Sequence, residues 1–204
     1  MGAFELTGGA SVLVLSAGFL ASCLRLRSPL AFMLAMNLIA WTAVVLFTLV
    51  FSPLRLVDPV ATWAWLVALL ALSVWTWLTL ARPAPPLAAL PGAIRGALAE
   101  PAVRVLAVFV VPTTAYVAAL AVGTPENEGD ALSYHVARAA FWNQHHGVAY
   151  VANAIETRLN VSPPNAEVAD LFTMVLSGSQ RFVGLVVAAV CQNVCQGIGH
   201  MGLV

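Results

Sequence analysis

The first 82 residues of this chain contain three long stretches without a charged residue. They lie between Glu5 and Arg25, between Arg27 and Arg55, and between Asp58 and Arg82. A helix that crosses the hydrocarbon core of a bilayer needs about 20 apolar residues, and each stretch is close to that length or longer. Because backbone groups in lipid must bond to one another, such stretches are predicted to be membrane helices.

The composition supports the same class of protein. Hydrophobic residues make up 61% of the chain and charged residues 9%, whereas soluble domains carry about 25% charged residues. Too few polar groups remain to cover a water-soluble globule. The nine basic residues are all arginine and are balanced by nine acids. A neutral chain offers no basic surface for phosphates, so nucleic acid is excluded as a partner.

We therefore predict an all-α, polytopic membrane protein of about five transmembrane helices, with one large extracytoplasmic loop that contains short helices. The predicted helices lie at about 6–24, 29–51, 60–80, 105–122 and from 182 onwards. We divide the chain into four transmembrane helices (1–122), a loop with the candidate active site (123–165), and an interfacial helix followed by the fifth transmembrane helix (166–204). The interfacial helix is predicted to break at Gly178.

Arginine placement predicts the orientation, because positively charged loops stay in the cytoplasm. The connections after the first and third helices carry five arginines, namely Arg25, Arg27, Arg82, Arg95 and Arg104. The turn between the second and third helices carries Arg55 alone. We expect a multi-pass plasma-membrane protein whose N-terminus and 123–165 loop are extracytoplasmic.

The 123–165 loop holds the residues that could do chemistry. Asp130 is a favoured helix N-cap, and the helix that it would start places Tyr134 and Arg138 on the same face at i+4 and i+8. His135 lies at the edge of that face. An arginine can bind a phosphate, and Asp130 or His135 can accept a proton. The alternative stays open that Asp130 is only a cap and His135 only an interfacial side chain.

Two adjacent histidines follow in the same loop. His145 and His146 have no third ligand at a metal-like spacing, so no metal site is predicted from them. No cofactor is implied with certainty, and a requirement for a divalent metal stays open.

A wider pattern resembles a known family. Asp130 and Tyr134 are followed by Pro163-Pro164, then by Gly178 and Arg181. This order is similar to the N-terminal part of the GT-C superfamily of membrane glycosyltransferases, in the group of protein O-mannosyltransferases and aminoarabinose transferases. More narrowly, Asp130–Arg138, with Trp142, Asn143 and Gln144, resembles a pattern of uncharacterised bacterial members.

The resemblance implies a function in the cell envelope. Such enzymes move a sugar from a polyprenyl-phosphate donor to an acceptor at the outer membrane face. Asp130 would be the base that deprotonates the acceptor, so Asp130→Asn would abolish transfer. Arg138 or Arg181 would steady the phosphate. The remaining residues would shape the sugar or acceptor pocket, and they are Tyr134, His135 and Trp142.

Two departures from the family pattern keep alternatives open. Many relatives have a second acid directly after the aspartate, where this chain has Ala131. Relatives also have more membrane helices, so we interpret the chain as truncated, with a membrane-protein partner that could complete the fold. Whether it is an enzyme by itself stays open. The alternatives are a non-catalytic membrane protein or subunit and, more weakly, a transporter.

Overall fold

The computed structural model describes residues 2–123, 131–152, 154–161 and 165–179. This part of the chain is all-helical and contains no strand. The helices are α1 (Gly2–Cys23), α2 (Pro29–Phe51), α3 (Pro59–Thr79), α4 (Leu90–Ala99), α5 (Pro101–Gly123), α6 (Val136–Gln144), α7 (Arg158–Val161) and α8 (Asn165–Ser177). Short 3-10 turns lie at Ser52–Leu54 and Pro86–Ala89, and a π-helical turn lies at Ala131–His135.

Three helices among the described residues are long and apolar enough to cross a membrane, and they are α1, α2 with its 3-10 extension, and α3. The all-α class is confirmed with three candidate membrane-spanning helices, and the sequence places these three helices to within a few residues of their observed ends. α5 contributes a shorter apolar stretch, Pro101–Tyr116. It also begins four residues before the predicted start at 105, because Pro101 is well tolerated in a first helical turn.

Local sequence signals explain where α2 and α3 begin. The hydroxyl of Ser28 accepts a hydrogen bond from the backbone N–H of Ala31 at 3.3 Å. The carboxylate of Asp58 accepts one from the N–H of Ala61 at 2.8 Å. A proline follows each cap. Capping side chains bond the free N–H groups of a first turn, and a proline after the cap has no N–H to leave unbonded.

The 13-residue helix α8 lies inside the bundle rather than on its surface. It packs against α1, α2, α3 and α6, and every side chain from Glu167 to Ser177 is buried. Its aromatic contact is Phe172 against Phe47 of α2, with ring centroids 5.8 Å apart. The helix ends where predicted, since Gly178 adopts a left-handed backbone conformation with φ of 62°.

A set of hydrogen bonds ties the segment after α6 to the turn between α2 and α3. We call this set the clasp. The Ser52 hydroxyl accepts from the N–H of Val148 at 2.8 Å and donates to its carbonyl at 3.1 Å. The N–H of Val57 donates to the carbonyl of His146 at 3.0 Å. The clasp therefore holds residues 146–148 at the end of the bundle where α2 meets α3.

Candidate functional site

The polar residues around Tyr134 and Arg138 are arranged by a π-helical turn followed by an α-helix. A π-helical turn has wider hydrogen-bonded spacing than an α-helix and often marks a functional site. Here Ala131–His135 forms the turn and Val136–Gln144 forms α6. His135 and Arg138, three residues apart, both face Glu167 of α8. The prediction grouped Tyr134 with Arg138 on one face and left His135 at the edge.

Glu167 is the centre of a buried cluster with these two residues, which we call the Glu167 cluster. Its Oε1 lies 2.9 Å from Nδ1 of His135 and 3.4 Å from Nη1 of Arg138. Glu167 is 0% exposed and Arg138 1% exposed. The His135 side chain is 36% exposed. A carboxylate and a guanidinium are thus sealed inside the protein, while the imidazole reaches the surface.

Arg138 makes two further contacts that keep it inside. It donates a hydrogen bond to the backbone carbonyl of Arg158. Its guanidinium carbon lies 5.6 Å from the ring centroid of Trp142. The indole N–H of Trp142 donates in turn to the carbonyl of Ala149 at 2.8 Å. The cation is therefore held by hydrogen bonds and by an aromatic ring as well as by Glu167.

A second charged pair lies at the rim of the cluster. Arg158 donates from Nε and Nη2 to the two carboxylate oxygens of Glu156, each at 3.1 Å. This side-chain bonding and, after it, the Arg158 backbone N–H lower the pKa of Glu156 below its ordinary value. The guanidinium carbon of Arg158 lies 4.7 Å from the ring centroid of Tyr134, and the Tyr134 ring lies 3.9 Å from the His135 ring. Tyr134 thus connects the rim pair to the Glu167 cluster.

The electrostatics of the Glu167 cluster follow from its burial. An isolated buried carboxylate is strongly unfavourable unless a partner compensates its charge. Arg138 provides that charge, so Glu167 and Arg138 together are neutral. His135 adds an imidazole, the side chain most often used as a general acid or base, on the exposed side of this neutral pair. The cluster is therefore suited to proton transfer at its exposed imidazole edge.

An apolar cleft lies elsewhere in the bundle. It has a volume of about 300 Å³, lies between α1, α2 and α8, and is floored by Ala169, Phe172, Thr173 and Leu176 of α8. At 100° per residue, these four positions lie on the opposite face of α8 from Glu167. The charged groups lie at the Glu167 cluster, whereas the lining of the cleft is almost entirely apolar.

The structure brings together four of the six predicted site residues, namely Tyr134, His135, Arg138 and Trp142. Asp130 and Arg181 lie outside the described residues. The predicted phosphate-binding role of Arg138 stays a prediction, and burial beside Glu167 makes its guanidinium a counter-ion in this structure.

Three charged residues at this end of the protein were absent from the predicted site: Glu156, Arg158 and Glu167. A signal for Glu167 was available, because acids are rare in apolar helices and usually functional where they occur. Glu167 and Asp170 interrupt an otherwise apolar run, and both are almost fully buried. Arg158 had no comparable signal, since its position depends on how the loop folds back towards Tyr134.

No group of three or more histidine, cysteine or acidic side chains that could hold a metal ion occurs in the described parts of the chain. Comparison of the chain with protein-family models, with curated proteins and with solved structures finds no match.

Proposed function

We propose that this membrane protein is a glycosyltransferase, or the N-terminal part of one, that takes a sugar from a polyprenyl-phosphate donor at the outer membrane face. One observation carries the proposal. The imidazole of His135 is partly exposed and bonded to a carboxylate that is sealed inside the protein. An acid–base group with this support is what the transfer of a sugar to a hydroxyl acceptor needs.

The position of the Glu167 cluster at one end of the helix bundle also supports the proposal. The clasp brings residues 146–148 to the turn between α2 and α3, and α6 contacts α8 inside the same bundle. The site would therefore lie at one membrane surface, where a lipid-borne phosphate and a water-soluble acceptor can meet. We further propose the predicted five-helix topology with this surface extracytoplasmic.

In the proposed reaction, each residue near the Glu167 cluster has a role. Asp130, from the family resemblance, and His135, from its geometry, are the candidates for the proton acceptor. Tyr134 is proposed to line the sugar or acceptor pocket, and Trp142, which is buried, would shape it from behind through its contact with Arg138. Arg158 lies at the rim beside Tyr134, where a guanidinium could meet a phosphate. Arg181 keeps its proposed role at the phosphate.

A transfer assay tests the function. Proteoliposomes containing the chain are given polyprenyl phosphates that carry radiolabelled hexoses or pentoses, together with envelope extract as the source of acceptor. We expect label to leave the lipid fraction. The double variant Asp130→Asn/His135→Gln should lower the rate at least about 100-fold, which is the usual contribution of acid–base catalysis.

The matched control is Glu100→Gln/His145→Gln, which removes an acid and a histidine at exposed positions. It should leave the rate unchanged. The proposal fails if the unmodified protein consumes none of the donors, or if the double variant is as fast as the unmodified protein.

A non-catalytic membrane subunit is the second candidate. The observation in its favour is the surface of α5, whose described apolar side chains include the exposed Val105, Val108, Phe109 and Val111. A partner helix could cover them. This candidate predicts co-purification with another multi-pass protein and no turnover of any donor.

A further inference from the structure

We propose that Glu167 is a positioning residue that fixes the His135 imidazole as the proton acceptor of the reaction. This inference rests on the proposed sugar transfer and names the group within it that takes the acceptor's proton. It begins with the pair itself, in which Nδ1 of His135 lies 2.9 Å from Oε1 of Glu167. No pattern in the sequence relates these two residues, which are 32 positions apart.

The partner of His135 determines which ring nitrogen carries the proton. An ionised carboxylate can only accept hydrogen bonds, so the ring nitrogen that faces it must carry the proton. Glu167 is ionised because it is paired with the guanidinium of Arg138, which stays charged in proteins. Nδ1 of His135 is therefore the N–H nitrogen, and in the neutral ring Nε2 is left with a free electron pair.

The charged form of the His135 ring would lie beside the carboxylate of Glu167. When Nε2 accepts a proton, the positive imidazolium lies against the negative Glu167, with Arg138 on the other side of the same carboxylate. Because Glu167 is 0% exposed, water screens this attraction little. Tyr134 touches the ring, and the ion pair of Arg158 and Glu156 lies behind Tyr134. The carboxylate thus holds the Nδ1–H of the ring, and a proton that arrives at Nε2 leaves this hydrogen bond in place.

In the proposed sugar transfer, the proton moves as one bond forms and another breaks. The oxygen of the acceptor hydroxyl forms a bond to the anomeric carbon of the sugar. The bond from that carbon to the lipid-phosphate oxygen breaks, and its electron pair leaves with the phosphate. The hydroxyl proton passes to Nε2 of His135, and the imidazolium later returns it to solvent, since the side chain is partly exposed.

Nitrogen NMR of the intact protein tests the positioning without an activity assay. The protein is labelled with ¹⁵N-histidine, and the His135 signals among its four histidines are assigned from the His135→Gln variant. At a pH where the ring is neutral, we expect the Nδ1–H tautomer with an unprotonated Nε2. A ring found as the Nε2–H tautomer would overturn the inference.

Kinetics test the role in transfer. We expect His135→Gln to lower kcat about 10²- to 10⁴-fold. Glu167→Gln, checked for folding by its melting temperature, should lower kcat at least about tenfold with KM changed less than about twofold, because the carboxylate acts only as the proton moves. Glu167→Asp should recover part of the loss. His145→Gln, an exposed histidine, is the control.

The outcomes separate the inference from the proposed function. If His135→Gln transfers sugar at the unmodified rate while Asp130→Asn abolishes transfer, His135 is not the acceptor, although the function stands. If the unmodified protein consumes no donor but His135 shows the expected tautomer, the sugar transfer fails and the positioning of His135 by Glu167 remains.

Discussion

At the scale of single residues, the buried pair of Arg138 and Glu167 dominates the energetics of the site. Two opposite charges inside a protein do not by themselves add much stability, because both lose their hydration. Removing only one of them is different, since the remaining buried charge then loses the opposite charge that it pairs with. The pair therefore constrains the site strongly even if its net contribution to folding is small.

We predict that Arg138→Met destabilises the protein by about 3–5 kcal/mol, because it leaves Glu167 buried without its cation. Unfolding in detergent micelles, followed by thermal or chemical denaturation, measures the change. Arg95→Met on the exposed face of α4 is the matched control and should stay within about 0.5 kcal/mol. A loss for Arg138→Met no larger than that of the control would show that Glu167 is not charged in the folded state.

At the scale of the elements, α8 and the clasp decide where the site lies. α8 is buried in an apolar bundle and packs against α6. This packing places Glu167 of α8 beside His135 and Arg138. The clasp holds the other end of α6, where the backbone of Gly147 approaches Ser52 so closely that a methyl group has no room. A Cβ at Gly147 would lie 2.8 Å from the carbonyl oxygen of Ser52.

Gly147→Ala is therefore expected to open the clasp. The added methyl group meets a backbone oxygen, which cannot rotate away as a side chain can, and we expect a loss of about 1–3 kcal/mol in the free energy of unfolding. Gly96→Ala is the control, because nothing lies within 4 Å of its Cβ position and alanine favours the helix by up to about 1 kcal/mol. Equal effects of the two changes in unfolding experiments would refute the close approach.

At the scale of the whole molecule, the clasp relates the chain to the membrane. It requires the turn between α2 and α3 to lie on the same side of the bilayer as residues 146–148. The arginine distribution predicts that this side is extracytoplasmic. Tertiary contacts place the two segments on the same side of the bilayer, and the arginine distribution alone predicts which side that is.

Cysteine labelling tests both claims in a background without the native cysteines. We expect His145→Cys and Leu54→Cys, both exposed, to react with a membrane-impermeant thiol reagent added to intact cells. Arg82→Cys should react only after the cells are opened. If His145→Cys and Leu54→Cys are labelled from opposite sides of the membrane, the fold is contradicted. If neither reacts in intact cells but both react in opened cells, only the predicted orientation is wrong.

Much of the fold could be predicted from the sequence because its signals are local. The uncharged stretches between Glu5 and Arg82 place α1, α2 and α3, and Ser28 and Asp58 with their prolines mark two helix starts. The break at Gly178 follows from a residue that readily adopts a left-handed conformation. The burial of α8 on all sides was not predictable, because it depends on the space that the other helices leave.

The candidate site was only partly predictable for a related reason. Sequence spacing alone proposed Tyr134, His135 and Arg138 as neighbours, since residues of one turn stay close in any helix. Their partner Glu167 lies on another helix, and pairing across that distance in sequence is set by tertiary packing. The sequence by itself determined the helices, their apolar surroundings and the polar turn. Only the tertiary structure decided that His135 faces a buried carboxylate, because helix packing fixes which side chains meet across the bundle.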